Sequence, residues 1–128
     1  MGSVKQVQVT FDCAEPVRVG RFWCEVLGYV GPSEHDDDSW FAAGDPSGVG
    51  PRLFFQRVPE GKIVKNRVHL DVRVGTGLVG QERLDALEAE CSRLVALGAV
   101  RGQLLLADED NESCQNMQDV EGNEFCLD

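Results

Sequence analysis

Apolar residues recur at every second position near the start of the chain, where Val7, Val9 and Phe11 alternate with Gln6, Gln8, Thr10 and Asp12. That period predicts a β-strand over Val4 to Asp12 with one buried face. The same alternation returns from Asn66 to Val74, with Val68, Leu70, Val72 and Val74 on one face and Arg67, His69, Asp71 and Arg73 on the other. After each strand the period changes to that of a helix. Val19, Phe22, Trp23, Val26 and Leu27 form one apolar stripe, begun at Glu15-Pro16 and stopped at Gly28. Leu84, Leu87, Cys91, Leu94 and Val95 form the second, with Glu82, Asp85, Glu88 and Arg93 on the wet side and Gly98 at the end.

Both helices finish on Leu-Gly, at Leu27-Gly28 and Leu97-Gly98, and each is followed by short strands broken by an Asp-x-x-Gly turn. The turns are Asp45-Pro46-Ser47-Gly48 and Asp119-Val120-Glu121-Gly122, and a closing strand follows each, Leu53 to Gln56 and Asn123 to Cys126. The pattern is an internal repeat, βαβββ used twice, in one α+β domain over residues 4–128 with modules 4–58 and 66–128. One helix cannot cover both faces of a four-stranded sheet. Two modules side by side would therefore keep the helices outside and leave a cup-shaped mixed sheet, whose concave face would receive a ligand. Strand parity turns Gln8 and His69 toward that face.

Composition narrows the partners. With 22 acidic residues against 12 basic ones, a net charge of −10 opposes phosphate backbones and anionic bilayers, so neither nucleic acid nor a membrane is expected. No stretch approaches the ~20 apolar residues of a membrane span, and the N-terminal MGSVKQVQVTFDC lacks the apolar run of a secretion signal, which predicts a cytoplasmic protein. Cys13, Cys24, Cys91, Cys114 and Cys126 include no C-x-x-C pair and should be reduced, most of them packed as small apolar residues.

Four segments, in order, resemble the vicinal oxygen chelate superfamily. They are Asp12-Cys13-Ala14-Glu15-Pro16 leading into Arg21 to Tyr29, Lys65 to Val72, Arg93 to Ala99, and Asp119 to Cys126. Within the superfamily the chain is similar to the small glyoxalase-like domains, and the likeness runs from about Val4 to Asp128. The resemblance implies the glyoxalase/bleomycin-resistance/dihydroxybiphenyl-dioxygenase fold and a homodimer. It also implies two functions: a divalent-metal-assisted lyase, isomerase or dioxygenase, or a metal-free protein of bleomycin-resistance type that sequesters a drug or other aromatic compound.

Metal-using members carry four ligands, mostly His and Glu, on the first and last strand of each module. Carried over by motif, the four positions are Gln8, Gln56, His69 and Cys126, and the ion would be Zn, Ni, Fe or Mn; in the metal-free reading there is no cofactor. Cys126 and the two glutamines depart from the usual ligand types, which weakens the case for a hard or borderline ion.

Other residues join the candidate site through strand parity. His69 is a ligand, a general base or a hydrogen-bonded pocket histidine. Asp71, two residues along, would orient His69 or a substrate, or pair with Arg67 or Arg73. Glu124 shares a face with Cys126 and is either a buried acid or base with a raised pKa or a rim carboxylate in water. Trp40 and Phe54, rather than Phe41 and Phe55, are expected to line a wall suited to a flat organic ligand. Asn66 and Arg67 would meet an anionic group at the mouth or bridge the modules. The acidic run Glu34 to Asp38 lacks the glycine and spacing of a calcium loop and reads as a solvated turn.

Overall fold

The computed structural model describes residues 2–128. The chain divides into two compact units, one ending at Gly61 and the other running from Lys62 to Asp128.

In the first unit, β1 (Gln8–Cys13) leads into α1 (Pro16–Leu27), followed by β2 (Trp40–Ala43) and β3 (Arg52–Arg57). Pro16 occupies the first turn, where its missing N–H costs nothing, and Gly28 closes the helix at φ 70°, a conformation disfavoured by any Cβ. The strands order β1-β3-β2, with β1 parallel and β2 antiparallel to β3. Aromatic rings fill the interface with α1: Phe11 lies 5.2 Å from Trp23 and 5.0 Å from Phe55, centroid to centroid. Phe41 and Phe55 are fully buried, whereas Trp40 is 38% exposed, as alternation requires.

The second unit repeats this plan with β4 (Asp71–Val72), α2 (Gly80–Ala96), β5 (Val100–Leu105), β6 (Cys114–Gln118) and β7 (Glu124–Leu127), ordered β4-β7-β6-β5. Opening and closing strands again run parallel, and β6 and β5 follow antiparallel. Leu87, Cys91 and Leu94 of α2 are buried with Met117, Phe125 and Leu127 of the sheet. Both sheets are therefore mixed, as expected, and both Asp-x-x-Gly turns form. Gly48 and Gly122 donate to the carbonyls of Asp45 and Asp119 at 2.9 and 3.0 Å, each at positive φ.

Four expectations need correction. The first unit has three strands rather than four: the strand after α1 shrinks to the single bridge Val30–Gly44, because Pro32 two residues on has no N–H to extend a ladder. The strand expected over Asn66 to Val74 pairs only near its end, and Val68 is 81% exposed. There Asn66 substitutes for strand pairing, its side-chain amide accepting from Glu124 N at 2.8 Å and donating to Glu124 O at 3.3 Å. The same Nδ2 also donates to the Val68 carbonyl at 2.6 Å, a local bond that competes with strand pairing. Third, β1 begins at Gln8 rather than Val4.

The stripe of α2 is the fourth correction. Leu84 is half-buried and Val95 exposed, while Arg83 is buried at 7% exposure. Its guanidinium donates twice to Ser113 O, at 3.0 and 2.9 Å, and once to Gly75 O at 2.9 Å, tying the helix to the approaches of α2 and β6. Among the described residues no helix is long and apolar enough to cross a membrane.

Candidate functional site

Alternation along β6 and β7 buries Gln115, Met117, Phe125 and Leu127 and turns Cys114, Asn116, Glu124 and Cys126 to the other face. Register then brings β4 beside them. Asp71 lies opposite Cys126, and Asn116 opposite Cys126 on the far side. These residues line an open hollow of about 1620 Å³ within the second unit, together with His69.

Three side chains converge there: one ligand atom each from His69, Asp71 and Cys126, all within 4.8 Å of one another. His69 Nε2 stands 3.2 Å from Asp71 Oδ1, so Asp71 orients the imidazole and pairs with neither Arg67 nor Arg73. Arg73 binds Asp128 instead, at 3.1 Å. The Cys126 thiol donates to Asn116 Oδ1 at 3.2 Å. Burial pushes its pKa up to about 11, helped by Cys114, Asp71 and Asp128 nearby. Burial raises the Cys114 thiol as well, again with Asp128 and Asp71 contributing.

Glu124 differs from the buried acid that was one expectation. Burial would raise its carboxyl, but the Asn66 N–H at 3.0 Å and the Lys62 ammonium at 3.0 Å outweigh that, and the net shift is downward. It is therefore an ionised carboxylate, clamped by a cation and an amide, rather than a proton donor near neutral pH.

Gln8 lines a hollow of about 510 Å³ in the first unit, accepts a hydrogen bond from Arg52 and donates to Thr10 Oγ1 at 3.2 Å. Gln56 donates to Asp12 Oδ1 at 2.9 Å. The register pairs Gln8 with Arg52 and Asp12 with Gln56, so the two glutamines are four residues apart along the sheet rather than on one rung. Arg67 is exposed and lines neither hollow, and Asn66 is committed to Glu124. Trp40 stacks on Phe54 at 5.9 Å and 14° on the open face of the first sheet, with the Arg52 guanidinium 5.4 Å over Phe54.

The donor set can be tested against a metal by its chemistry. A tetrahedral ion held at ~2.0–2.3 Å needs ligand atoms about 3.4–3.8 Å apart, within small rotations of the observed trio, and imidazole, carboxylate and thiolate are all zinc ligands. Three protein donors also leave a fourth position for an exogenous oxygen. The residues therefore fit an ion. Asp71 as a third donor, and Cys114 beside the site, were not singled out as ligands from sequence; the alternation Ser113-Cys114-Gln115-Asn116-Met117 was the available signal for Cys114.

A family model described as a glyoxalase-like domain matches residues 8–127, and the chain belongs to that family. Solved structures share its fold. One is a glyoxalase/bleomycin resistance protein/dioxygenase family enzyme from Burkholderia phytofirmans, with TM-score 0.67 and 14% identity over 94% of both chains. A possible glyoxalase from Bacillus cereus has TM-score 0.65 and 14% identity over 98% of each chain. The fosfomycin resistance protein FosX from Listeria monocytogenes, in complex with Mn(II) and sulfate, has TM-score 0.72 and 9% identity over 98% of this chain and 90% of that one. At these identities the likeness is one of fold. No curated protein matches the chain.

Proposed function

We propose that this protein is an enzyme that holds a divalent ion through His69, Asp71 and Cys126 and acts on a small organic molecule in the adjoining hollow. The observation that carries the reading is the convergence of three different ligand atoms within 4.8 Å on the open face of a sheet. A divalent ion held there would supply Lewis-acid polarisation of a substrate oxygen, the chemistry that lyases and isomerases require. The chain's own residues supply the rest. Glu124, charged and immobilised by Lys62 and Asn66, offers a fixed acceptor for a polar group of the substrate. That FosX from Listeria monocytogenes was crystallised with Mn(II) on the same fold supports the reading. A homodimer belongs to it as well, and sedimentation equilibrium reads that mass directly.

A second reading is kept alive by the Trp40–Phe54 stack, whose exposed indole and half-buried phenyl ring would suit a flat aromatic compound bound without metal. One experiment separates the two. Purified protein is dialysed against a divalent ion and analysed for metal, and thermal shifts are recorded for aromatic compounds with chelator present. The enzyme reading expects one ion per chain, lost in His69→Ala and Asp71→Asn. Equal metal content in wild type and His69→Ala would contradict it, and stabilisation by aromatic compounds under chelator, abolished by Trp40→Ala, would favour sequestration.

A further inference from the structure

Several carboxylates face the second hollow, so a hard cation wanting oxygen ligands is the first candidate for the centre. Two of them are already committed. Glu124 is bound by Lys62 at 3.0 Å and by the Asn66 amide, and Asp128 by Arg73 at 3.1 Å. What remains at the centre is one nitrogen, one carboxylate and one sulfur, from His69, Asp71 and Cys126. The sulfur is placed for the role. It lies opposite Asp71 in the β4–β7 register and is half-buried; its thiol donates to Asn116 Oδ1 at 3.2 Å, and that proton leaves when the sulfur binds an ion as thiolate. The other thiol on this face, Cys114, stands two residues before Asn116 on β6.

Resting on the metal reading above, we propose that this centre selects a borderline, thiophilic divalent ion of the zinc class over hard ions of the manganese or magnesium class, with Cys126 as the residue that sets the choice. Thiolate favours zinc, cobalt and softer ions, whereas manganese and magnesium prefer near-octahedral shells of oxygen. The converging trio itself brings one carboxylate and one sulfur, which is far from such a shell. Cys126 therefore decides which ion binds, and His69 decides whether one binds at all.

The test uses the full chain and two readouts that need no catalytic assay. In equilibrium dialysis against equal concentrations of zinc and manganese, wild type should retain zinc and exclude manganese. With cobalt as a spectroscopic stand-in, the wild-type adduct should show a near-ultraviolet sulfur-to-cobalt charge-transfer band, lost in Cys126→Ser although circular dichroism shows an unchanged fold. In Cys126→Glu the preference should shift toward manganese. Manganese retained equally with zinc by wild type, or a cobalt adduct without the sulfur band, overturns the proposal. Either result leaves the metal reading standing if binding still requires His69. Loss of that requirement sinks the metal reading itself, so the two failures are distinguishable.

Discussion

Glu124 shows how a single side chain answers to its neighbours. Its carboxyl is held below the ordinary carboxylate range despite burial, because Asn66 and Lys62 bind the charged form. Folding therefore favours ionisation. The resulting stability is complete above the unfolded-chain value near ~4.3 and is lost as the pH falls through the lower folded value. Thermal unfolding followed between about pH 5 and pH 3 should fall more steeply in wild type than in Glu124→Gln, and parallel profiles would refute the assignment. At this scale the sequence was partly legible. Period-two alternation placed His69 and Asp71 on one face, and Glu124 and Cys126 on one face. It could not say that these two faces adjoin, since the parallel β4–β7 pairing joins segments some fifty residues apart, nor that Asn66 and Lys62 would claim Glu124.

Among the elements, the helices and turns were readable because their signals are local. Pro16, Gly28 and the Asp-x-x-Gly pairs act through backbone conformation within a few residues. Strand extents were not, because a strand lasts only as long as its partner, and β7 has four residues with which to pair β4. Arg83 escaped the pattern of α2 because a charged residue on an apolar stripe reads as a break. In the structure it is a clamp between α2, Gly75 and Ser113. Replacing it with alanine leaves those carbonyls without their buried donor and removes the packing of its stem. Arg83→Ala should cost about 2–4 kcal/mol in urea unfolding. A loss within the ~0.5 kcal/mol typical of surface substitutions would mean that the clamp contributes little. Gly75 is matched to it, since a Cβ there would stand 2.9 Å from Arg83 Nη1.

On the scale of the whole molecule, the duplication is one of topology more than of chemistry. Both units join their opening and closing strands in parallel and add the others antiparallel. Yet the side chains on the two sheets differ, and the convergent donors His69, Asp71 and Cys126 all belong to the second unit. Family membership follows from the match over residues 8–127.

The most direct test is a crystal of the full chain grown with zinc and measured on both sides of the zinc absorption edge. The account predicts one anomalous peak per chain bounded by His69 Nε2, the Asp71 carboxylate and Cys126 Sγ, with metal–ligand distances of about 2.0–2.3 Å. An anomalous map empty at that point, with His69 still bonded to Asp71, would contradict it.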